Sequence, residues 1–451
     1  MGLFRAYDIR GIVPDELNPA LAYRIAYSYA TWLKRQLGRD SLNIGVARDN
    51  RESSHNISAA VAQALVDSQC TVTDFGLAST PTFYFAIHRG ELDGGLQITA
   101  SHNPAQYNGI KVVREGAIPV GGDTGLTEIE AGLTDTPEYP GERTVTVIPK
   151  DILSEYITAV LNQSGELPDL STLRVLVDPG NGVSGLMAQT LFDQLSCTML
   201  PLFFELDGSF PNRPPDPLAT GNLAKTQTEV VTQQAHLGVA FDADGDRVAF
   251  IDETGAVISS DLITALVGAQ IAAKQPGSKI GYDVRSSQIV PETIARAGGT
   301  PVVTRVGHAF IKSQMRAEDI AFAGELSGHF YYGAQTGYYE SPLLVVLTIL
   351  SLLARDPRPL SEHITPLRKY FPTGELNFTV NDKAVVMAQI RSHFANAPHV
   401  SELDGIRVEY ADWWCNIRPS NTENLLRLTL EAHTPELRDT KRDEIIALIT
   451  A

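Results

Sequence analysis

Three aspartates alternate within one short stretch near the middle of the chain. The sequence VAFDADGDRVAFID contains Asp242, Asp244 and Asp246, and Arg247 follows directly. Carboxylates this close repel one another, so a cation or several hydrogen-bond donors must lie among them. Oxygen ligands of this kind select a hard ion such as Mg²⁺ or Ca²⁺. The stretch therefore predicts a metal loop, and Arg247 indicates an anionic ligand that contacts both the metal and the arginine.

Two other interpretations of the aspartate loop are available. An EF-hand would use the three aspartates together with Glu253, but Arg247 stands where that loop needs glycine. The flanking segments LGVAF and VAFID also predict strands, whereas an EF-hand needs helices. An acidic hairpin turn that binds nothing is the remaining alternative.

A second stretch, TASHNP at 99–104, places Ser101 beside His102 between two predicted strands. Ser, Asn and Pro are common in turns, so a plain turn is one explanation. A Ser-His-Asp hydrolase is another, but the chain contains no Gly-x-Ser-x-Gly elbow. Adjacent side chains also rarely point at each other as a nucleophile and its base must.

The stretch GNGVSG at 180–185 matches the Gly-x-Gly-x-x-Gly pattern of dinucleotide-binding proteins. It follows a predicted strand and opens a predicted helix, and Glu205 stands about 20 residues after it, as that pattern requires. Against this interpretation, Asp178-Pro179 precedes the first glycine, and a proline with fixed φ does not suit the phosphate turn. We favour a glycine-permitted turn into a helix, with an NAD-dependent dehydrogenase as the alternative from another class.

Four motifs stand in one order along the chain: TASHNP at 99–104, DADGDR at 242–247, GELSGH at 324–329 and RPSNT at 418–422. AYDIRG at 6–11 is a fifth. Together they resemble the α-D-phosphohexomutase superfamily, and in particular its phosphomannomutase/phosphoglucomutase branch, over nearly the whole chain. The resemblance implies reversible interconversion of hexose 1-phosphate and hexose 6-phosphate. It also implies a phosphoserine at Ser101, one Mg²⁺ per chain, and a hexose 1,6-bisphosphate that serves as intermediate and activator.

The resemblance also implies a role for individual residues of this sequence. The catalytic residues are Ser101, Arg10 and Lys111, of which Lys111 also assists proton transfer from the acceptor hydroxyl. The metal ligands are Ser101, Asp242, Asp244 and Asp246. The substrate-binding residues are Tyr7, His102, Arg247, Arg285, His308, Glu325, Ser327, His329, Arg418, Ser420, Asn421 and Thr422.

Substrate specificity depends on the GELSGH motif. Glu325 and Ser327 resemble family residues that hydrogen-bond the sugar hydroxyls O3 and O4, and glucose and mannose differ only at C2, so both are expected substrates. Leu326 agrees with the phosphomannomutase/phosphoglucomutase pattern, whereas the phosphoglucosamine branch usually has Gln there. A phosphoglucosamine mutase of the same fold is therefore the less favoured alternative. Arg285 stands where the family often has Lys, which leaves its contact open.

The elements that must position these residues form a threefold repeat. Three times a predicted strand ends in an aspartate, at Asp49, Asp178 and Asp283, and leads through a short loop into a helical period. After Phe371 the pattern changes to strands with two helices. The expected fold class is α/β, with three related α/β domains that have mixed sheets and a C-terminal α+β domain. The resemblance places these domains around a central active-site cleft. The expected domains are 1–148, 149–254, 255–367 and 368–451.

Composition narrows the possible partners. The 451-residue chain has a formal net charge of -17, which disfavours nucleic acid and anionic membranes. Three widely spaced cysteines and a charged N-terminus favour a cytoplasmic protein. The apolar stretch at 342–354 is too short to span a bilayer and predicts a buried helix. The expected partner is a phosphosugar, and the expected oligomeric state is a monomer or weak homodimer.

Overall fold

The computed structural model describes residues 2–420 and 425–450, so the predicted site residues Asn421 and Thr422 lie outside the described residues. The described chain divides into two compact units. The larger unit comprises residues 2–258 and 327–361, and the smaller unit comprises residues 259–326 and 362–450 apart from the undescribed segment.

The first α/β domain of the larger unit is built on a mixed sheet. Its strands are β1 (Ile9–Ile12), β2 (Asn43–Arg48), β3 (Thr71–Leu77), β4 (Gly94–Ile98), β5 (Tyr107–Arg114), β6 (Ile118–Pro119) and β7 (Ile148–Pro149). Its helices are α1 (Pro19–Leu37), α2 (Ser54–Asp67), α3 (Thr80–Arg89) and α4 (Leu126–Ala131). The strand order is β1-β5-β4-β2-β3-β7, with β6 beside β5. Strand β2 runs parallel to β3 and β4, whereas β5 runs antiparallel to β1 and β4.

The ends of helix α1 follow directly from the sequence. Asn18 precedes the helix and its side chain accepts a hydrogen bond from the Leu21 amide at 3.0 Å, while Pro19 fills the first helical position. The helix ends at Gly38, which has a φ of 63°. That left-handed conformation favours glycine and lets the chain leave the helix.

The second α/β domain carries the aspartate loop. Its helices are α5 (Leu153–Ser164), α6 (Ser184–Phe192) and α7 (Ala224–Thr232), and its strands are β8 (Arg174–Asp178), β9 (Thr198–Pro201), β10 (Leu237–Phe241), β11 (Val248–Asp252) and β12 (Val257–Ile258). The strand order is β12-β11-β10-β8-β9. Strands β10 and β11 are antiparallel and fully buried, so the stretch VAFDADGDRVAFID forms a hairpin.

The third α/β segment begins in the smaller unit, with α8 (Ser260–Lys274), β13 (Lys279–Asp283), α9 (Ile289–Arg296), β14 (Thr300–Thr304), α10 (His308–Glu318) and β15 (Phe322–Gly324). Strand β13 lies between β14 and β15 and is parallel to both. The next elements along the chain, β16 (Phe330–Tyr332) and the buried helix α11 (Pro342–Arg355), belong to the larger unit. No helix in the described part of the chain has the length and hydropathy needed to cross a membrane.

The C-terminal part of the smaller unit is an antiparallel α+β domain. Its elements are α12 (Leu360–Ile364), which leads into it, β17 (Phe371–Thr379), α13 (Lys383–His393), β18 (His399–Ser401), β19 (Ile406–Glu409), β20 (Trp413–Pro419), β21 (Leu425–Ala432) and α14 (Pro435–Thr450). The strand order is β17-β21-β20-β19-β18.

The predicted fold class is confirmed, with α/β domains that have mixed sheets and a C-terminal α+β domain. One element differs from the prediction. The composition of the stretch GIRVEYADWWCNI predicts a strand. The stretch instead forms two strands, β19 and β20, because the Tyr410 amide donates to the Trp413 carbonyl at 2.9 Å and closes a turn. The predicted domain boundaries stay a prediction.

Candidate active site

Ser101 lies in the loop that joins β4 to the antiparallel strand β5. Its side chain is buried, and its Oγ donates a hydrogen bond to Asp242 Oδ2 at 2.8 Å. Its φ of 51° is left-handed, a conformation that non-glycine residues adopt rarely and that is typical of functional sites. His102 Nδ1 is 3.3 Å from the same Oγ. The fold therefore joins the serine loop to an aspartate that is 141 positions away in the sequence.

Arg51 holds the serine loop in this conformation. Its guanidinium is buried against Asp49, whose Oδ2 accepts from Arg51 Nε at 3.0 Å. The carbonyl oxygens that accept from the same guanidinium belong to Ser101, Asn103, Pro104 and Tyr107, at 2.7 to 3.1 Å. No motif of the sequence singles out Arg51, although an arginine two positions after a strand-ending aspartate recurs at Asp283 and Arg285.

The aspartate loop brings three carboxylates together between β10 and β11. Asp242, Asp244 and Asp246 are all buried, and one oxygen from each lies within 4.8 Å of the others. Within the described chain, Asp244 Oδ1 is buried without a hydrogen-bond partner. A buried carboxylate oxygen without a donor is costly unless a cation lies against it. The donor set and this oxygen together fit a hard divalent metal ion.

Burial and neighbouring charges shift the pKa values of Asp242 and Asp246 in opposite directions. Burial and the other two aspartates hold the pKa of Asp242 well above its usual range. Burial alone would also raise the pKa of Asp246, but the opposite charges of Lys111, His329 and Arg247 outweigh it and hold that pKa well below its usual range. Asp242 is therefore the more readily protonated of the two, whereas Asp246 is held in its ionised form.

Lys111 is the ammonium closest to this charge. Its Nζ pairs with Asp246 Oδ2 and lies 3.3 Å from Asp244 Oδ2. Burial would lower the pKa of Lys111, but Asp244 and Asp246 outweigh burial and raise it well above its usual range. Thr80 Oγ1, at the start of α3, donates to Asp244 Oδ2 at 2.6 Å. In this geometry Lys111 places a positive charge beside two of the three aspartates, and its predicted part in proton transfer stays a prediction.

The glycine-rich stretch after β8 supports the aspartate loop from behind. A Cβ at Gly182 would lie 2.5 Å from the Cα and carbonyl oxygen of Ala243, so only glycine lets the two backbones approach this closely. Arg213 joins the same elements, since it donates to Asp178 Oδ2 at 2.9 Å and to the Phe241 carbonyl at 2.7 Å. Packing against the Ala243 backbone therefore explains the glycine at position 182 without a bound dinucleotide.

Replacing Gly182 with alanine is expected to lower the free energy of unfolding by about 1–3 kcal/mol, because the new methyl group overlaps the Ala243 backbone. Urea denaturation followed by circular dichroism measures the difference. Gly122→Ala is the matched control, since its Cβ would meet its nearest atom, the Ala6 carbonyl oxygen, at 3.8 Å. Equal stabilities for the two variants would show that the Ala243 contact is not restrictive.

The remaining predicted residues of the larger unit surround the serine and aspartate loops. Arg10 donates to Asp8 Oδ2 at 2.8 Å and to Asn103 Oδ1 at 2.5 Å, which ties β1 to the serine loop. Burial and the positive charges of Arg247 and Arg10 hold the pKa of His102 well below its usual range. Tyr7 is half-buried just before β1.

His329 connects three predicted site residues of the larger unit. Its Nε2 lies 3.3 Å from both Asp246 Oδ1 and Arg247 Nε, and its Nδ1 lies 3.0 Å from Ser327 Oγ. The structure thus brings Ser101, Lys111, the three aspartates, Arg247 and His329 into one cluster of direct contacts.

The smaller unit brings together a separate set of predicted residues. Arg285 pairs with Asp283, with an Nη2 to Oδ2 distance of 2.7 Å, and lies 3.3 Å from Glu375 Oε2. Glu375 also pairs with Arg418 at 3.2 Å and with Arg427. Sequence reasoning missed Glu375 and Arg427, which carry no motif.

The sugar-specificity motif is anchored through backbone amides. Glu325 is buried and its Oε1 accepts from the Gly307 amide at 3.0 Å, while the Leu326 amide donates to Asp283 Oδ2 at 2.9 Å. His308 is half-buried at the start of α10, and Ser420 is buried just after β20, where its amide donates to the Leu425 carbonyl at 2.8 Å.

The chain is similar to known proteins over its full length. It matches four domain descriptions in succession, all headed phosphoglucomutase/phosphomannomutase: alpha/beta/alpha domains I, II and III at residues 1–140, 154–255 and 259–370, and the C-terminal domain at residues 375–448. It is 38% identical to a phosphomannomutase of Vibrio cholerae, with 99% of this chain and 98% of the relative covered.

Two further comparisons agree. The chain is 35% identical to a phosphomannomutase/phosphoglucomutase of Pseudomonas aeruginosa, with 96% of this chain and 92% of the relative covered. Its structure is similar, with a TM-score of 0.88 and 30% sequence identity, to the crystal structure of a phosphoglucomutase/phosphomannomutase family protein from Burkholderia thailandensis, with 99% and 96% of the two chains covered.

Proposed function

The chain belongs to the phosphoglucomutase/phosphomannomutase family, and we propose that it interconverts hexose 1-phosphates and hexose 6-phosphates through a phosphoserine at Ser101. The observation that carries this proposal is the hydrogen bond from Ser101 Oγ to Asp242, 2.8 Å long, beside two further carboxylates and the Lys111 ammonium. A serine in this setting is a phosphoryl carrier, because the neighbouring groups match the charges that phosphoryl transfer requires.

In the proposed reaction, the bond between Ser101 Oγ and phosphorus breaks while a bond forms between phosphorus and a free hydroxyl of the hexose monophosphate. The hydroxyl loses its proton and Ser101 Oγ gains one, so the products are the free Ser101 hydroxyl and hexose 1,6-bisphosphate, which is the intermediate. After this intermediate has turned around, its other phosphoryl group returns to Ser101 and the isomeric monophosphate is released. One hexose 1,6-bisphosphate added from outside can phosphorylate an empty Ser101, which explains its proposed role as activator.

The cofactor that we propose is Mg²⁺. Asp242, Asp244 and Asp246 would hold it together with an oxygen of phosphorylated Ser101, and when bound it supplies positive charge that stabilises the transferring phosphoryl group. Phosphorylation adds nearly two negative charges at Ser101, so positively charged side chains around the loop are needed, besides the metal, to balance them. Lys111, Arg10 and Arg247 supply this positive charge.

The smaller unit is proposed to recognise the parts of the sugar phosphate that do not react. From the sequence motif that contains them, Glu325 and Ser327 are each proposed to hydrogen-bond sugar hydroxyls. Arg418 and Ser420 would hold the phosphate group, because a guanidinium and a hydroxyl suit its oxygens. His308 and His329 are proposed to contact the sugar or its phosphate. Asn421 and Thr422 complete the proposed phosphate loop from the sequence motif alone.

Coupled assays with the 1-phosphates of mannose, glucose and glucosamine test the substrate class. We expect comparable turnover of the mannose and glucose substrates, because the proposed contacts are to O3 and O4, which both sugars share. We expect much lower turnover of the glucosamine substrate, because Leu326 does not match the amino-sugar pattern. A preference for glucosamine 1-phosphate would replace the proposal by a phosphoglucosamine mutase. Tight binding of NAD without any mutase activity would instead favour the dehydrogenase alternative.

A further inference from the structure

Thr80 links the first α/β domain to the aspartate loop of the second. It is fully buried at the first position of α3, directly after the N-cap residue Ser79. Its Oγ1 donates to Asp244 Oδ2 at 2.6 Å, and its amide donates to the Asp244 carbonyl oxygen at 2.8 Å. A residue of one domain therefore holds an aspartate of another through both the side chain and the backbone. None of the five sequence motifs contains Thr80.

The two oxygens of the Asp244 carboxylate have different surroundings. Oδ2 accepts the Thr80 hydroxyl and lies 3.3 Å from Lys111 Nζ. Oδ1 is buried and has no hydrogen-bond partner in the part of the chain that the structure describes. Such an oxygen is costly to bury, and a metal ion held together with Asp242 and Asp246 would satisfy it. Oδ1 is therefore the oxygen that Asp244 offers to a metal, because Oδ2 already has two donors beside it.

The first turn of α3 fixes the position of Thr80. Ser79 Oγ accepts from the Thr82 amide at 3.3 Å and lies 2.8 Å from Thr82 Oγ1, while Pro81 restricts the second helical position. The first amides of a helix have no acceptor inside it, and the Asp244 carbonyl supplies one to Thr80. A hydroxyl has a single proton to donate, so the bond to Asp244 commits it. The helix thus fixes the orientation of this carboxylate.

We propose that Thr80 is a positioning residue that holds Asp244 with one oxygen available to the metal and thereby makes the site selective for Mg²⁺ over Ca²⁺. The inference rests on the proposed function, in which Asp242, Asp244 and Asp246 hold Mg²⁺. Mg²⁺ demands near-ideal octahedral geometry, whereas Ca²⁺ accepts a flexible geometry and carboxylates that bind through both oxygens. A fixed carboxylate with one oxygen already occupied by donors suits the first ion better than the second.

Thr80→Val removes the hydroxyl but keeps the shape of the side chain and the backbone amide. Asp244 then loses a short hydrogen bond and can rotate, which disturbs the geometry that Mg²⁺ needs and opens the second oxygen to Ca²⁺. We expect the Kd for Mg²⁺ to rise by about ten-fold, as loss of a hydrogen bond to a metal ligand typically does. The Kd for Ca²⁺ should change by no more than about two-fold, so the preference for Mg²⁺ falls by about five-fold or more.

Titration calorimetry with MgCl2 and with CaCl2 measures both dissociation constants on the full-length protein after removal of metal with EDTA. Every variant is compared in the same phosphorylation state of Ser101, which intact mass verifies. Thermal unfolding without metal measures any damage to the fold separately. A purely structural role of Thr80 would lower the metal-free stability and weaken the binding of both ions to the same extent.

Matched variants isolate the hydroxyl. Thr80→Ser keeps it, and we expect both Kd values to stay within about two-fold of wild type. Thr82→Val removes a buried hydroxyl from the same turn of α3, one that lies against Ser79, and should leave both Kd values unchanged. If Thr80→Val does not fold, Thr80→Ala also lacks the hydroxyl and should show the same loss of preference for Mg²⁺.

The inference is overturned if folded Thr80→Val binds both ions as wild type does, or if it loses affinity for both ions equally. Metal binding needs no turnover, so these outcomes are separate from the proposed function. A wild type that prefers Mg²⁺ but has no mutase activity contradicts only the proposed function. An active wild type whose preference survives the loss of the Thr80 hydroxyl contradicts only the inference. A wild type that binds neither ion overturns the inference together with the proposed metal.

Discussion

Ser101→Ala is expected to lower mutase activity by about 10⁴-fold, since the variant has no oxygen on which to carry the phosphoryl group. Added hexose 1,6-bisphosphate should not restore the activity, because it acts by phosphorylating Ser101. The fold should persist, since the serine hydroxyl makes one strong hydrogen bond, to Asp242. Loss of that bond leaves a buried oxygen of Asp242 without its donor, so we expect the free energy of unfolding to fall by about 1–3 kcal/mol.

The measurement combines intact mass with the coupled assay. Wild type treated with hexose 1,6-bisphosphate should gain one phosphate, and Ser101→Ala should gain none. Ser209→Ala, at an exposed loop serine that donates to Asp207, is the control and should gain phosphate and stay active. A wild type that never carries phosphate, with a Ser101→Ala variant that stays fully active when the bisphosphate is present, would refute the phosphoserine mechanism.

Asp244→Asn is expected to reduce kcat by about 10²- to 10³-fold at saturating Mg²⁺, as the loss of one charge-stabilising group at a reacting centre typically does. The asparagine side chain fits the position of Asp244. Its oxygen can accept the hydrogen bond that Thr80 donates to Asp244 Oδ2, and its nitrogen takes the place of Oδ1, which has no donor among the described residues. In the absence of metal the variant should be as stable as wild type or slightly more stable, since one of three repelling charges is removed.

Thermal unfolding with and without Mg²⁺ distinguishes this effect from simple damage. Wild type should gain stability on addition of Mg²⁺, by mass action, and Asp244→Asn should gain much less. Asp207→Asn, at a loop carboxylate that accepts from Ser209, should behave as wild type in both assays. A large loss of stability in Asp244→Asn without metal, or an undiminished response to Mg²⁺, would contradict the assignment of this carboxylate as a ligand.

The sequence predicted most of the residues that the structure brings together around the aspartate loop, because they are concentrated in short motifs. The three aspartates are recognisable from residue type and spacing, whereas Ser101 is indicated only by the resemblance of its motif to the family. The strands on either side of each motif explain why the motifs form tight loops. The contact between Ser101 Oγ and Asp242 was an expectation that only the fold could test, since it depends on how two sheets pack.

The supporting residues could not be predicted in the same way. Arg51 acts through four backbone carbonyls, which leave no trace in the sequence. Arg213 is 35 positions from Asp178, and Glu375 is 90 positions from Arg285, so neither pair forms a local pattern. Gly182 matched a dinucleotide-binding motif although it has a different role. A backbone that packs closely against another backbone and a backbone that packs closely against a phosphate both require a residue without a side chain, which is glycine.

The burial of Ser101 is relevant to a side reaction, the hydrolysis of the phosphoserine by water. A phosphate ester that meets water can be hydrolysed, and the enzyme would then release inorganic phosphate as a phosphatase does. Ser101 is only 2% exposed, with its Oγ turned towards Asp242, and Arg51 fixes the loop around it. Under the proposed mechanism, this burial would limit the access of water to the phosphoserine bond, and we expect the phosphorylated enzyme to hydrolyse slowly in the absence of sugar.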